Sequence, residues 1–189
     1  MMLNKHDLPN FQQLDWSVDC DKMLSCFRNF TDTFDPVSDS YGAEYFSDDY
    51  QQMTITKNSG QKTIRNKIDE RGYGELYPEF KNTYVEEVLN KFKSPYTRVR
   101  LVVKEPGSYI LPHMDYNTTY SVRYFIPLVT NKWSMTAIER DEEVETRNLS
   151  IGKVYFVNVG FKHSAWNFGD TKDIRLIVSV NGQSDLITS

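Results

Sequence analysis

The residue types best suited to chemistry in this 189-residue chain are His113, Asp115 and His163. His113 and Asp115 are separated only by Met114, so their side chains point the same way if the segment is extended. His163 lies far along the chain and must come from a neighbouring strand. Two histidines and one carboxylate bind Fe(II) on one face and leave the other face open for oxygen chemistry. The spacing therefore predicts a mononuclear iron site.

Each of these residues also has an ordinary structural interpretation. His113 could be a surface histidine after a strand, and Asp115 a turn or cap residue. His163 could be a core or loop histidine. We favour metal binding because all three residues fall together in the strand-rich half of the chain.

Arg175 interrupts an apolar run, between Ile174 and Leu176. A charge inside a core strand is costly unless it is paired. We expect Arg175 to hold the distal carboxylate of 2-oxoglutarate through two charge-assisted hydrogen bonds, each worth about 1.5–3 kcal/mol. The alternatives are an arginine that faces solvent and one that pairs with a protein acid such as Asp173.

Arg123 interrupts a second apolar run, 121–128. We expect it to contact either the metal-bound end of 2-oxoglutarate or an acidic substrate, and a solvated side chain is equally compatible with strand alternation. Asn167 could fix His163 or a neighbouring strand, or serve the turn that follows it.

Residue type and position predict roles for several aromatic and basic residues. Most large aromatic residues belong to cores, and the candidates for pocket walls are Trp133, Trp166, Tyr116, Tyr120 and Tyr124. Three basic residues alternate with apolar ones along one strand, which predicts a solvated strand face at Arg98, Arg100 and Lys104.

Composition narrows the class of protein. Hydrophobic residues make up 39% and aromatic residues 14%, which predicts one globular domain over 1–189. The formal net charge of −4 argues against non-specific nucleic-acid binding. Neither a signal peptide nor a membrane span is evident, and Cys20 and Cys26 are too far apart for a CxxC site. We expect a cytoplasmic protein that binds neither nucleic acid nor membrane.

The hydrophobic pattern changes near residue 95. Region 1–95 is mixed, with a predicted helix over 17–32, a strand over 52–56, a turn at 58–60 and a second helix that Thr83 and Glu86 begin as a capping box. From residue 96 onward, alternation predicts eight strands and therefore a mainly β, jelly-roll domain that the helices support. The predicted strands are 98–104, 108–111, 121–128, 133–138, 143–148, 154–158, 164–167 and 174–180.

Ordered blocks of the chain resemble the aspartyl/asparaginyl β-hydroxylase family. They are 100–115 (RLVVKEPGSYILPHMD), 123–131 (RYFIPLVTN), 152–158 (GKVYFVN), 163–167 (HSAWN) and 175–178 (RLIV). The resemblance implies a double-stranded β-helix core over 96–182, with Fe(II) on His113, Asp115 and His163. It also implies that Arg175 anchors 2-oxoglutarate and that Arg123 lies near this co-substrate.

Family members hydroxylate protein Asp or Asn side chains or free amino acids such as proline. The resemblance thus implies a dioxygenase that uses O2 to hydroxylate an amino acid or a peptide or protein side chain. The chain departs from the pattern at Phe125, where many members carry histidine, and in the segment between His163 and Arg175, which is about two residues longer. Two other functions stay open: a cupin-type metal enzyme that does not use 2-oxoglutarate, for which only His6 remains as an extra ligand, and a non-enzymatic jelly-roll binding protein.

A lid over the pocket is a further hypothesis for residues 37–80. This region is polar and rich in tyrosine. Closure over substrate would protect it from proteolysis when ligands are bound.

Overall fold

The structure, a computed structural model, describes residues 2–28, 35–36, 50–57, 63–64 and 67–186. In these ranges the helices are α1 (Cys20–Ser25) and α2 (Tyr84–Leu89), with short 3-10 helices at Lys5–Asp7, Glu70–Gly72 and Pro78–Phe80. The strands are β1 (Phe11–Ser17), β2 (Asp35–Pro36), β3 (Tyr50–Thr54), β4 (Thr56–Lys57), β5 (Thr63–Ile64), β6 (Lys67–Ile68), β7 (Glu75–Leu76), β8 (Tyr96–Lys104), β9 (Tyr109–His113), β10 (Val122–Val129), β11 (Ser134–Arg140), β12 (Glu143–Arg147), β13 (Lys153–Val157), β14 (Lys162–Asn167) and β15 (Asp173–Val180).

Two antiparallel sheets form the body of the described protein. The major sheet has the strand order β1-β13-β10-β15-β8-β3-β2, and the minor sheet has the order β12-β11-β14-β9. In sequence, the β11–β12 hairpin lies midway between β8 and β15. The chain before the hairpin and the chain after it form two arms, whose strands pair with each other. Thus β8 pairs with β15, β9 with β14 and β10 with β13. This is the predicted jelly roll, and residues far apart in sequence become neighbours in it.

The major sheet is buried on both faces. Its outer face packs on the helices, through a core that includes Met23, Val88 and Tyr124. Its inner face packs toward the minor sheet, through a second core that includes Phe125 and Ile177. Each fully buried side chain of this size contributes about 1.5–3 kcal/mol, so the two cores fix the spacing of the sheets that carry the functional residues.

The strand predictions from residue 96 onward are confirmed, with shifts of one or two residues at most ends. In the N-terminal part, β1 was not predicted, although it extends the major sheet by pairing with β13. The predicted strand over 52–56 corresponds to β3 and β4. The turn at 58–60 lies outside the described residues, as do residues 37–49, 58–62 and 65–66 of the proposed lid, so the lid hypothesis stays a prediction.

Both helices are shorter than expected. The α1 helix covers only Cys20–Ser25, and the predicted helix over 17–32 runs into residues outside the description. At α2 the capping box is wrong in detail. The Thr83 hydroxyl donates to the Phe80 carbonyl, and the Glu86 carboxylate accepts from the Asn82 N–H at 2.6 Å. Glu86 therefore satisfies a backbone donor one residue before the expected position.

The expected solvated face of β8 is wrong. Arg98, Arg100 and Lys104 are only 9%, 8% and 2% exposed. They point into the space between the sheets, where Lys104 reaches Ser134 of the minor sheet. Alternation correctly placed them on one face, but that face is the interior.

No helix in the described part of the chain has the length and apolar character that a membrane crossing requires.

Candidate metal centre

His113 and His163 meet because β9 and β14 pair in register at these two residues. Their ring centroids lie 4.3 Å apart. Asp115 follows β9 by two residues, and its N–H donates to the Val159 carbonyl at 3.0 Å, which holds the backbone beside β14. The three side chains each offer one ligand atom, and these atoms all lie within 4.8 Å of one another. The same-face prediction is confirmed, since the intervening Met114 is 56% exposed.

Both imidazoles are oriented by backbone carbonyls. His113 Nδ1 lies 2.8 Å from the Leu111 carbonyl oxygen, and His163 Nδ1 lies 3.1 Å from that of Phe161. A carbonyl only accepts, so each Nδ1 carries a proton in these contacts, and Nε2 is the ring nitrogen that would bind a metal ion. His163 Nε2 lies 3.5 Å from Asp115 Oδ2. Outer hydrogen bonds of this kind fix the tautomer of a metal-binding histidine. The residues thus fit a divalent cation that prefers two imidazoles and one carboxylate.

The protonation states also suit a metal ion. Burial, together with the neighbouring His163, lowers the pKa of His113 to about 4, so the ring is neutral at neutral pH. Burial alone would raise the pKa of Asp115, but Arg123 and the two histidines outweigh it and hold this pKa well below its usual range. The site therefore presents a neutral imidazole and an ionised carboxylate without prior loss of protons.

Arg123 is 7% exposed and does not point to solvent. Its Nη1 donates to Asp115 Oδ2, and its Nη2 donates to Glu70 Oε1 at 2.7 Å. Glu70 is 1% exposed and also lies 3.7 Å from Arg98 Nη1. Burial opposes ionisation of Glu70, but Arg123, Arg100 and Arg98 keep its pKa below the usual value. Arg123 is thus an orienting partner of Asp115, held in turn by Glu70.

Arg175 is 2% exposed and forms a buried ion pair with Asp173. Its Nε donates to Asp173 Oδ1 at 2.7 Å and its Nη2 to Oδ2 at 3.0 Å. Nη2 also donates to Ser134 Oγ at 3.1 Å, and Nη1 donates to Thr136 Oγ1 at 2.7 Å. One of the alternatives from the sequence, a pair with Asp173, is therefore present. The fork that we expected to grip a ligand is filled by a protein carboxylate.

Lys104 completes this buried cluster. Its Nζ lies 3.4 Å from Asp173 Oδ1 and 3.0 Å from Ser134 Oγ. Burial, and next Arg175, lower the pKa of Lys104 to about 7, against the opposing effect of Asp173. Arg175 and Lys104 outweigh burial at Asp173 and keep the pKa of that carboxyl far below its usual value. We call Lys104, Asp173, Arg175, Ser134 and Thr136 the buried clamp.

Asn167 has a structural role near this cluster. It is fully buried, and its Nδ2 donates to the Lys104 and Thr171 carbonyls, each at 2.9 Å. Its Oδ1 accepts from the Gly169 N–H at 3.2 Å. Asn167 therefore links β14 to β8 and stabilises the turn that follows β14. These are the neighbouring-strand and turn roles considered from the sequence, and these contacts are with backbone groups rather than with His163.

The predicted aromatic walls separate into three groups. Tyr124 is fully buried in the outer core, away from the site, and Trp133 is 58% exposed. Trp166 is half-buried on β14. Tyr116 and Tyr120 are half-buried beside Asp115, with ring centroids 4.4 Å apart. Tyr116, which follows Asp115 directly in the chain, is therefore the member of the set that is tied to the candidate metal centre by sequence.

Sequence reasoning missed Glu70, Ser134 and Thr136. Glu70 lies in a polar segment that carries no periodic signal. Ser134 and Thr136 lie two residues apart on β11 and so share a face. Small hydroxyl residues are common on strands, so this pattern did not single them out. A usable signal was Asp173, which shares a strand face with Arg175 at a spacing of two.

Comparison with known proteins supports this architecture. The family model for aspartyl/asparaginyl β-hydroxylase matches residues 73–182. No curated protein sequence matched the chain. A 2OG-Fe(II) oxygenase family oxidoreductase from Burkholderia pseudomallei is similar in structure, with a TM-score of 0.63, 13% identity, and coverage of 92% of this chain and 85% of that one.

Two further structures are similar at low identity. A Pseudomonas putida prolyl-4-hydroxylase has a TM-score of 0.59 and 11% identity, and covers 90% of this chain and 91% of its own. The viral collagen prolyl hydroxylase of Paramecium Bursaria Chlorella virus-1 has a TM-score of 0.52 and 11% identity, with 92% and 97% covered. At these identities the likeness concerns the fold. The family match spans more than half of the sequence and contains all three metal-site residues, so the chain belongs to the aspartyl/asparaginyl β-hydroxylase family.

Proposed function

We propose that the protein is an Fe(II)- and 2-oxoglutarate-dependent dioxygenase that hydroxylates an amino acid or a peptide or protein side chain. The observation that carries this proposal is the convergence of His113, Asp115 and His163, whose ligand atoms all lie within 4.8 Å of one another. Membership of a hydroxylase family supports the reaction class. Fe(II) and 2-oxoglutarate, when bound, would supply the oxidising chemistry, in which substrate, O2 and 2-oxoglutarate are consumed and hydroxylated product, succinate and CO2 are released.

The protein residues divide into four tasks. His113, Asp115 and His163 hold the metal and leave positions open for co-substrate and O2. Arg123 keeps Asp115 ionised and oriented. The buried clamp provides the cation for the distal carboxylate of 2-oxoglutarate. The inner core around Phe125 and Ile177 lines part of the space between the sheets with apolar side chains, which would help to exclude water from the site.

Strand β14 sets the distance from the metal to the clamp. On β11, Ile138 is opposite His163 and Thr136 is opposite Ala165. Two residues along a strand span about 6.6–6.8 Å, which is comparable to the length of the four-bond carbon chain of 2-oxoglutarate. A co-substrate chelating the metal at one end would therefore extend its distal carboxylate toward Thr136 and Arg175.

The clamp retains hydrogen-bond donors for that carboxylate. Of the five N–H bonds of Arg175, one on Nη1 has no acceptor among the described residues. Thr136 Oγ1 accepts from Nη1, so its own hydroxyl hydrogen can be donated. The two donor groups lie 2.7 Å apart, and we propose that together they bind the carboxylate.

The partners follow from the same chemistry. We propose an amino acid or a peptide or protein side chain as substrate, with O2 as oxidant. The net charge of −4 supports a protein that binds neither nucleic acid nor anionic membrane. Both cysteines are free, which supports a cytoplasmic location.

Succinate release tests the proposal. The wild-type protein, with Fe(II), 2-oxoglutarate and a panel of amino acids and peptides, should release succinate and add one oxygen atom to one class of substrate. His163→Ala should abolish both signals, while His6→Ala serves as the control because His6 packs on Phe161 outside the metal site. Iron binding without any 2-oxoglutarate binding would contradict the proposal and favour a cupin-type enzyme. Failure to bind either would favour a non-enzymatic jelly roll.

A further inference from the structure

We infer that Lys104 is a positioning residue for 2-oxoglutarate: it offsets Asp173, so that Arg175 keeps a net positive charge for the distal carboxylate. The inference rests on the proposed function and assigns Lys104 a role in it. Lys104 does not need to touch the co-substrate. It acts through Asp173, which both cations share.

The first support is the geometry of Asp173. Its carboxylate is fully buried and accepts from both sides of the gap between the sheets. Arg175 donates to both oxygens at 2.7 and 3.0 Å, and Lys104 Nζ lies 3.4 Å from Oδ1. Ser134 and Thr130 each donate to Oδ2 at 2.7 Å. Asp173 is thus held in place by the protein and cannot leave Arg175 when a ligand arrives.

The second support is the charge of the clamp. Arg175 and Asp173 alone form a neutral pair, and a carboxylate brought beside a neutral buried pair would be a buried charge without compensation. With Lys104 protonated, two cations face one anion. The surplus of one positive charge matches one carboxylate. The donors that remain for it are on the Thr136 side of Arg175, toward the metal.

The third support is that Lys104 is unfavourable for the fold at neutral pH. The residue is 2% exposed, and burial with Arg175 nearby lowers its pKa to about 7 in spite of Asp173. Asp173 is already paired with Arg175, so the fold does not require a second cation here. Perturbed groups of this kind concentrate at functional sites.

A pH dependence follows. The charged groups that face Lys104 are Asp173 and Arg175 from β15, while β11 adds the Ser134 hydroxyl and β3 places Tyr50 opposite in the register. As the pH rises past 7, Lys104 loses its proton and the clamp becomes neutral. Affinity for 2-oxoglutarate should therefore fall between pH 6 and 9, and bound ligand should favour proton uptake by Lys104.

The test compares two ligands by anaerobic calorimetry on the full-length, Fe(II)-loaded protein. The ligands are 2-oxoglutarate and 2-oxopentanoate, which lacks only the distal carboxylate. Lys104→Met should weaken 2-oxoglutarate binding by at least about tenfold, the loss expected for one charge-assisted interaction, and leave 2-oxopentanoate unchanged. Lys104→Arg should restore binding. Lys172→Met is the matched control, because Lys172 is an exposed lysine that pairs with Glu105 nearby.

Several outcomes would overturn the inference. These are equal 2-oxoglutarate affinity in Lys104→Met and wild type, equal losses for both ligands, or no decline in wild-type affinity from pH 6 to 9. The last measurement needs no variant and so does not depend on how the variant folds. A wild-type protein that binds iron but not 2-oxoglutarate would overturn the proposed function, and with it this inference. Failure in the variant alone would overturn only the role of Lys104.

Discussion

The two ends of the space between the sheets are built on opposite principles. At the metal end, His113 and Asp115 are partly exposed, and the ligand atoms of the three side chains lie within 4.8 Å of one another. At the clamp end, Lys104, Asp173 and Arg175 are at most 2% exposed and are linked by mutual hydrogen bonds. The metal end presents side chains that can bind a cation, whereas the hydrogen bonds of the buried clamp are already formed without a ligand.

This difference reflects where the charge comes from. At the metal end the cation is to be supplied by iron, so the protein provides two imidazoles, that of His113 with a lowered pKa, and one ionised carboxylate. At the clamp end the protein must carry the positive charge itself, inside a region from which water is excluded. It does so with a fixed ion pair and one additional cation. Substitutions at the metal end should therefore lower iron affinity, whereas loss of the central anion of the buried clamp should lower the stability of the fold.

The largest effect is expected at the metal end. Asp115→Ala removes the carboxylate of the proposed ligand set and also takes a carboxylate partner from Arg123. Iron affinity should drop by more than about 100-fold, beyond the loss typical of outer-shell partners, and turnover should be undetectable. Iron titration followed by calorimetry measures this. Unchanged iron stoichiometry and affinity would remove Asp115 from the ligand set.

In the buried clamp, loss of the central carboxylate should instead lower the free energy of unfolding. Asp173→Ala leaves Arg175 and Lys104 as buried cations without their carboxylate, which should cost about 3–5 kcal/mol in the free energy of unfolding. Urea unfolding of the metal-free protein gives this value. Asp170→Ala is the control, because Asp170 is exposed in the preceding turn. A cost for Asp173→Ala no greater than that for the control would mean that the clamp does not need its central anion.

Arg123 should behave as an outer partner of the metal. Arg123→Met removes the donor to Asp115 and leaves Glu70 with weaker pairing. We expect about a 10–100-fold loss of iron affinity, without the complete loss predicted for Asp115→Ala. Arg147→Met, at an exposed arginine that pairs with Glu145, is the control. Wild-type affinity in Arg123→Met would show that Asp115 needs no orienting cation.

The smallest effect should have the opposite sign. At pH 6, Lys104→Met should stabilise the metal-free protein by on the order of 1–3 kcal/mol, because an apolar side chain replaces a buried cation. The folded-state pKa of Lys104 is about 7, against 10.5 for an unperturbed lysine. Between these values the unfolded chain binds more protons, so wild-type stability rises with pH and the gap should narrow above pH 7. Destabilisation by this change at pH 6 would contradict the account of Lys104.

The sequence allowed the metal end to be predicted more fully than the clamp. Residues two apart on an extended segment share a face, and this rule alone brought His113 and Asp115 together. Placing His163 beside them required the pairing of β9 with β14, which the jelly roll predicted from eight short strands provides. The β11–β12 turn was harder to predict because it contains no glycine. Asp141 and Glu142 adopt the positive φ angles that glycine would usually supply.

The clamp was predicted only in part, for a physical reason. Alternation identifies which side chains share a face, but not which face is covered by a second sheet. Arg98 and Lys104 were assigned to solvent because charged residues rarely lie inside. Their burial depends on partners from distant elements, Glu70 and Asp173. Only the assembled fold brings those partners close enough to compensate the charge.

The central claim is that His113, Asp115 and His163 hold one Fe(II) with open positions for 2-oxoglutarate. The most direct test is visible absorption of the protein under anaerobic conditions as Fe(II) and 2-oxoglutarate are added. The account predicts a metal-to-ligand charge-transfer band that saturates at one iron per chain, needs both additions and is absent in His163→Ala. A folded wild-type protein that gives no such band at saturating iron and 2-oxoglutarate would contradict it.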